Sequence, residues 1–195
     1  MEKDSPKYVK ESGMMKEITQ TKYGDHTLIL YSDLTTLEYV YLNYSKISLE
    51  SLNEMILILP YYHSVADVLN NLTSNGIDID RYKKEGSIIV VESKKAYYSL
   101  TQEFVGLMIM TKMLLRRADK LRKAGVTVVS DMGLFFDINK IDDLTKYETE
   151  LLPSICNMKV KVLCGYNKSD FELLIEHQRQ QHLLKAHNNK IIVAS

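Results

Sequence analysis

Residues able to do chemistry come at the ends of short apolar runs in this chain. Tyr31, Asp131 and Cys164 each follow a run of β-branched and aliphatic residues that is typical of a buried strand. The carboxyl ends of parallel strands are where open α/β sheets bind ligands. Asp131 could orient a metal ion for hydrolysis, Cys164 could act as a nucleophile, and Tyr31 could hydrogen-bond a ligand. The rest of the sequence discriminates among these chemistries.

A nucleotide-hydrolysing site also needs a phosphate-binding loop, and the sequence contains no motif for one. Such a loop requires glycines whose backbone amides wrap the phosphate, followed by a lysine. None of the eight glycines precedes a lysine, and no two have the GxGxxG spacing. Asp131 is therefore predicted to contact a ligand or to stabilise the fold. A degenerate nucleotide-binding protein that uses Asp131 and Glu92 is the enzymatic alternative.

Histidine and cysteine spacing argues against a local metal site. On a helix, His177 and His182 would point about 140° apart, since each residue advances by about 100°. Cys156 and Cys164 are eight residues apart, so there is no Cys-x-x-Cys motif. A buried cysteine is usually inert, and Cys164 is predicted to line a pocket rather than to react. We expect no metal and no cofactor.

The elements that would position these residues alternate along the whole chain. Helical periodicity covers residues 34–45, a segment from Ser64 to Asn75-Gly76, residues 101–124, a segment ending near 152, and residues 169–184. This alternation predicts an α/β fold of three layers, with a mostly parallel central sheet between helices. Residues 1–22 are predicted to be a flexible lead-in, and residues 23–195 a single domain. The predicted strands are 27–31, 55–59, 87–91, 126–131, 160–164 and 190–193.

The composition of the chain limits the classes of partner and the cellular location that we expect. The chain has 25 basic and 25 acidic residues, so it has no global attraction for nucleic acid, and no direct nucleic-acid binding is expected. Two cysteines do not make a disulfide framework, which favours a cytoplasmic location. The N-terminus has no apolar core of signal-peptide length, and no window of 18 apolar residues predicts a membrane span. Segment 104–115 is apolar on most faces, which favours core packing combined with a homo-oligomer interface.

The carboxyl ends of the predicted strands bring together the residues of a small-molecule pocket. Tyrosines and small polar groups that converge at one edge of a sheet are typical of such pockets, although any α/β sheet collects some of them there. The residues predicted at this edge are Tyr31, Ser32, Tyr62, His63, Asp131, Cys164 and Tyr166.

Several short segments resemble a known family, the MEDS domain of methanogens and methylotrophs, named from the dichloromethane regulator DcmR. Their order and spacing match from about residue 23 to residue 193. The matching segments are His26-Thr27-Leu28-Ile29-Leu30-Tyr31 after Gly24-Asp25, Asn53-Glu54-Met55-Ile56, Gly76-Ile77-Asp78, Gly86-Ser87-Ile88, Tyr147-Glu148, Leu163-Cys164-Gly165-Tyr166 and His187.

The resemblance implies a RecA/KaiC-like core that has lost its phosphate loop, which agrees with the glycine pattern. It also implies a sensor of small organic molecules, hydrocarbon derivatives among them, in regulators and signalling proteins. DcmR-like members carry a DNA-binding helix-turn-helix that has no counterpart in this sequence. We therefore expect a non-enzymatic cytoplasmic sensor that relays its state to a regulatory protein partner. A structural interaction module that acts through segment 104–115 is a further alternative.

The resemblance adds His26 to the predicted ligand-binding residues. His26 opens the first strand, and a structural hydrogen bond there would explain it equally well.

Overall fold

The computed structural model describes residues 6–98, 105–174 and 177–194, and one seven-stranded sheet runs through them in the order β1-β7-β2-β6-β5-β3-β4. Every pairing in this sheet is parallel. The predicted α/β class is confirmed, and the strand order is consistent with a RecA-like fold. The strands are β1 Lys7–Lys10, β2 His26–Tyr31, β3 Met55–Leu59, β4 Ile88–Val90, β5 Val126–Asp131, β6 Val160–Asn167 and β7 Asn189–Ala194.

Helices cover both faces of the sheet and form the three predicted layers. Helices α1 to α4 pack on one face, and α5 to α10 contribute to the core on the opposite face. A π-helical turn, Ile47–Ser51, extends α2. The helices are α1 Glu11–Ile18, α2 Leu34–Lys46, α3 Val65–Ser74, α4 Ile79–Glu85, α5 Ser93–Tyr98, α6 Val105–Lys120, α7 Gly133–Asp137, α8 Ile141–Ile155, α9 Lys168–Glu172 and α10 His177–Ala186.

The chain leaves two neighbouring strands, β2 and β6, toward opposite faces of the sheet. After β2 it enters α2 on one face, and after β6 it enters α9 and α10 on the other. Such a divergence opens a crevice at the carboxyl ends of the two strands. Tyr31 and Asn167 are paired in register at this place, which is the edge of the sheet at which the sequence predicts a site.

Local sequence signals account for most of the predicted elements. The six predicted strands are all present, and every residue of β3 and β5 is buried, as expected of central parallel strands. Asp33 accepts a hydrogen bond from the backbone N–H of Thr36 and caps α2, and Ser64 caps α3 in the same way. Gly76 follows α3 with φ +86°, a conformation that favours glycine.

Residues 7–18 are part of the fold, which corrects the expectation of a flexible lead-in over 1–22. Strand β1 pairs with β7, and α1 buries Met14 and Ile18 against the sheet. The sequence signal was weak because β1 is a four-residue, mostly exposed edge strand. Its pairing depends on a partner at the other end of the chain. Residues 1–5 lie outside the described ranges.

Four boundaries also differ from the prediction. The connector after Gly76 contains α4, and the predicted helix 169–184 is divided into α9 and α10. The long helix ends at Lys120, and its predicted start at Thr101, like Phe104, lies outside the described residues. Strand β6 runs three residues past Cys164, which places that thiol within the strand rather than at its end.

Gly125 directly follows the helix predicted over residues 101–124, but it does not end that helix. The helix before it has already ended, and Arg122 takes the left-handed conformation with φ 53°. A Cβ atom on Gly125 would lie 2.5 Å from the ring of Tyr23 and 2.6 Å from the carbonyl oxygen of Lys159. A glycine is needed here because other segments pack directly against the backbone.

No helix in the described part of the chain combines the length and the apolar character needed to cross a membrane.

A buried ion pair joins three strands at the amino-terminal edge of the sheet. Lys161 Nζ lies 2.7 Å from Glu54 Oε1, and both side chains are buried. Thr127 donates to Glu54 Oε2 at 2.8 Å, and the hydroxyl of Tyr23 donates to Glu54 Oε1 at 2.7 Å. The carboxylate therefore has a cation and two hydroxyl donors, which offset the cost of its burial.

Removal of the buried cation is predicted to destabilise the fold far more than removal of an exposed one. Lys161→Met leaves the Glu54 carboxylate buried without its cation, and we expect a loss of about 3 kcal/mol in the free energy of unfolding. The matched control is Lys7→Met, which breaks the exposed ion pair with Glu17 and is expected to cost less than about 1 kcal/mol. Urea unfolding measures both, and equal losses would contradict the role of this pair.

Candidate functional site

The predicted site residues form two groups on opposite faces of the sheet. Successive side chains of a strand point to alternate faces, so residues that are two positions apart share a face. Tyr31 and Asp131 point toward α2 and α3, whereas His26, Cys164 and Tyr166 point toward α8 and α10. Ser32, Tyr62 and His63 follow strand ends and lie with the first group at the carboxyl edge.

At the carboxyl edge, Asp131 holds the segment that follows β3. Its Oδ2 atom accepts hydrogen bonds from the backbone N–H groups of Tyr61 at 3.2 Å and Tyr62 at 3.0 Å. Its Oδ1 atom accepts from Gly133 at 3.0 Å. Burial raises the pKa of Asp131, although these three donors act in the opposite direction. Both oxygens are therefore engaged by the chain itself.

Residues 60–64, which we call the tyrosine loop, close over this edge. The hydroxyl of Tyr61 donates to Asp137 Oδ2 at 2.5 Å, at the end of α7. The hydroxyl of Tyr62 donates to Asp170 Oδ2 at 2.5 Å, in α9. A Cβ atom on Gly133 would lie 2.4 Å from the Tyr62 ring, so a glycine is needed under the loop. The loop connects α7 and α9 across the ends of the central strands.

The side chain of His63, in the tyrosine loop, and two buried tyrosines supply a group of polar atoms that we call the edge pocket: the hydroxyls of Tyr31 and Tyr41 and the Nδ1 atom of His63. Among the described residues, none of these three buried atoms has a hydrogen-bond partner. Burial raises the pKa of both tyrosines most, and the charge of Asp131 raises it further. The Tyr31 hydroxyl also interacts with the Asp131 carboxylate, but without the geometry of a hydrogen bond. The Nε2 atom of His63 pairs with Glu38 Oε1 at 2.9 Å.

A small, partly apolar cavity borders the edge pocket at Tyr41 and His63. This cavity of about 10 Å³ is bordered by Tyr41, His63, Val68 and Leu72. This is room for one water molecule at most. Ser32, directly after Tyr31, is half-buried. The site is thus closed to any larger molecule while the tyrosine loop keeps its present position.

On the other face of the sheet, a fully buried carboxylate gathers polar groups from several elements. We call His26, Glu148, Cys164, Tyr166 and His187 the Glu148 cluster. Glu148 Oε2 lies 2.7 Å from His26 Nε2 and 3.5 Å from His187 Nε2. Cys164 Sγ lies 3.4 Å from His26 Nε2 and 3.9 Å from Glu148 Oε2. The hydroxyl of Tyr166 donates to Glu148 Oε1.

Backbone carbonyls orient both imidazole rings of this cluster. His26 Nδ1 lies 2.9 Å from the carbonyl oxygen of Ala186, and His187 Nδ1 lies 2.7 Å from that of Leu183. A carbonyl only accepts, so each Nδ1 carries a proton and each Nε2 is turned toward Glu148. One donor atom from each of His26, Glu148, Cys164 and His187 lies within 4.8 Å of the others.

Electrostatics keep the cluster in a defined ionisation state. Burial raises the pKa of Glu148, but the charge of His26 and hydrogen bonds to the carboxylate outweigh it and lower this pKa to about 2. Burial and the charge of His26 lower the pKa of His187 to about 3. Burial and the charge of Glu148 raise the pKa of Cys164 well above its usual value, so without a metal it is a thiol.

The sequence interpretation did not place Glu148, His187 or Tyr41 in a site. Glu148 lies on the buried stripe of α8 with Leu144 and Leu151. A charged residue within an apolar stripe is a signal that could have identified it. His187 and Tyr41 have no such local signal, because their neighbours in space come from distant parts of the chain.

Comparison with known proteins identifies one family. The model described as "MEDS: MEthanogen/methylotroph, DcmR Sensory domain" matches residues 25–187, which is most of the chain. The match includes both groups of site residues. Among curated proteins, no sequence matches this one.

Stability is predicted to fall as the solution is acidified below pH 6.5. His187 has a pKa of 6.5 when unfolded and about 3 when folded, so unfolding takes up a proton between these values. His187 alone lowers the free energy of unfolding by up to about 1.4 kcal/mol for each pH unit of acidification. Below pH 4.5 the lowered pKa of Glu148 acts in the same direction.

Urea unfolding between pH 7 and pH 5, with a chelator present, measures this slope. His187→Gln keeps a donor for the Leu183 carbonyl but cannot be protonated, and it should flatten the slope. Cys156→Ser, an exposed change outside the cluster, is the matched control and should leave the slope unchanged. An unchanged slope in His187→Gln would contradict the assignment.

Proposed function

The chain belongs to the MEDS family of sensory domains, and we propose that it is a non-enzymatic sensor that binds a small organic ligand in the edge pocket. The bound state would be relayed to a regulatory protein partner. The proposal rests on three buried polar atoms that have no hydrogen-bond partner among the described residues: the hydroxyls of Tyr31 and Tyr41 and the Nδ1 atom of His63.

Unpartnered polar atoms in a protein interior are costly, at about 1–3 kcal/mol each. Most buried polar groups are satisfied, and an exception therefore calls for an explanation. A binding site supplies one, because a ligand can provide the missing partners. Three such atoms near one another favour a ligand site over an isolated packing defect.

The chemistry of the edge pocket indicates the class of ligand. Because His63 Nε2 donates to Glu38, a neutral His63 offers Nδ1 as an acceptor. The tyrosine hydroxyls can donate. One alcohol-type hydroxyl on the ligand can therefore accept from a tyrosine and donate to His63. Val68 and Leu72 provide apolar walls for a short hydrocarbon portion.

Because the edge pocket is closed, ligand binding would change the structure around it, and this change could be passed to a partner protein. The cavity of about 10 Å³ is too small for an organic molecule, so binding requires the tyrosine loop to move. That movement would pull on the bonds of Tyr61 to Asp137 and of Tyr62 to Asp170. Helices α7 and α9 would shift, and a partner could recognise the change. The ligand shifts this equilibrium only because it prefers the open loop.

A degenerate nucleotide-binding enzyme has less support. Both oxygens of Asp131 already accept backbone hydrogen bonds, so they are poorly disposed to orient a metal-bound water. Glu92, the second residue of that alternative, is exposed and pairs with Lys95 at 3.1 Å. Stabilisation by ATP with magnesium in a thermal-shift screen would favour the enzyme instead.

Tyr31→Phe is predicted to stabilise the ligand-free protein and to remove its ligand response. The variant deletes a buried hydroxyl that has no partner, which should raise the free energy of unfolding by about 1 kcal/mol. A small alcohol or another oxygenated hydrocarbon that stabilises the wild type by mass action should then have little effect. A thermal-shift screen followed by urea unfolding measures both quantities.

Tyr44→Phe is the matched control, since Tyr44 is equally buried but its hydroxyl bonds Thr21 Oγ1 at 2.7 Å. This variant should lose about 1 kcal/mol of stability and keep the ligand response. A Tyr31→Phe protein that is destabilised and still responds would show that the pocket is elsewhere.

A further inference from the structure

Four donor atoms typical of transition-metal sites converge inside the domain, on the face of the sheet away from the edge pocket. They are an imidazole nitrogen from each of His26 and His187, a carboxylate oxygen of Glu148 and the sulfur of Cys164, all within 4.8 Å of one another. All four residues are buried. We propose that these residues bind one zinc ion, a site separate from the proposed ligand pocket.

Three of the separations between donor atoms are close to those of a tetrahedral zinc site. Zinc bonds of about 2.0–2.3 Å place neighbouring ligand atoms about 3.3–3.7 Å apart. His26 Nε2 to Cys164 Sγ is 3.4 Å, His187 Nε2 to Glu148 Oε2 is 3.5 Å, and Cys164 Sγ to Glu148 Oε2 is 3.9 Å. The 2.7 Å contact of His26 with Glu148 is shorter, because it is a hydrogen bond whose proton the ion would replace. No two of the four atoms are more than 4.8 Å apart.

The unpaired Nε2 atom of His187 supports a bound cation independently of the distances. Its Nε2 atom is buried, carries a lone pair and has no hydrogen-bond donor among the described residues. It faces a carboxylate oxygen at 3.5 Å, so two acceptors are turned toward each other. A cation between them converts this unfavourable contact into two bonds.

The groups around the four donor atoms are those that support metal ligands. Metal-binding histidines usually donate their second ring nitrogen to a carbonyl or carboxylate. His26 and His187 both do so, to Ala186 and Leu183. Tyr166 holds the remaining oxygen of Glu148. Each ligand is thus oriented before any ion arrives.

Charge balance allows the exchange of the ion for protons. Both ring nitrogens of His26 face acceptors, the Ala186 carbonyl and the Glu148 carboxylate, so without metal each carries a proton and the His26–Glu148 pair is neutral. With zinc, the carboxylate and the Cys164 thiolate balance the two positive charges, and both imidazoles are neutral. Loading therefore releases two protons, one from His26 Nε2 and one from the Cys164 thiol. No net charge is buried in either state.

The donor set selects the class of ion. Magnesium and calcium prefer sites made of oxygen atoms, whereas this site offers two nitrogens, one sulfur and one oxygen. Zinc accepts this mixture with tetrahedral geometry. Because all four residues are buried, the ion would enter as the chain folds and be retained through dialysis.

The test refolds the full chain from a denatured, chelator-treated state in the presence of zinc or cobalt. We expect one equivalent of metal per folded chain after dialysis. With cobalt, a thiolate-to-cobalt charge-transfer band and intense visible bands of a tetrahedral site should appear. A folded chain that retains no metal and develops no such bands overturns the proposal. This wild-type measurement needs no ligand, so its failure leaves the sensor proposal untouched.

Two cysteine variants assign the bands to the site. Cys164→Ser should abolish the charge-transfer band and weaken metal affinity by more than about 100-fold, since even loss of an outer-shell partner costs 10–100-fold. Cys156→Ser changes the exposed cysteine and should retain both band and affinity. The reverse pattern, with the band lost in Cys156→Ser and kept in Cys164→Ser, would overturn the proposal.

Discussion

A carboxylate without access to water must be surrounded by donors and positive charge, and Glu148 imposes this constraint on the domain. Its partners come from β2, from β6 and from the turn between α10 and β7. The pairing therefore joins α8 to the middle of the sheet and to the end of the chain. Loss of the carboxylate would leave several buried donors unsatisfied at once, at a cost that exceeds one hydrogen bond.

The two edges of the sheet differ in how their polar groups are satisfied. At the amino-terminal edge, Glu54 has a cation and two hydroxyl donors, so that edge is stabilised in one arrangement. At the carboxyl edge, Asp131 anchors a loop above tyrosine hydroxyls that lack partners. Unsatisfied groups and a closed loop are features of a place that changes when something binds. The amino edge contributes stability, and the carboxyl edge is where we place recognition.

Sequence patterns predicted the strands because each central strand is a continuous apolar run whose local composition is diagnostic. They could not reveal strand order, and the Glu148 cluster depends on that order, since its members are spread from His26 to His187. The exclusion of a metal site rested on local spacing, which says nothing about residues brought together by the sheet. Asp131 was identified as important, but its partners are backbone amides, which have no sequence signature. The register of β2 with β6 also decides which face each side chain points to. Tyr31 and Cys164 have opposite parity in this register and so face opposite sides, which the sequence alone does not show.

The most direct test of how the Glu148 cluster is arranged is the protonation state of His187, read from nitrogen-15 chemical shifts of the histidine side chains. The measurement is made on the metal-free protein at pH 5. The cluster predicts a neutral ring with the proton on Nδ1 and a bare Nε2, because burial and the neighbouring His26 lower the pKa of His187 to about 3. A doubly protonated ring, or a proton on Nε2, would contradict the account.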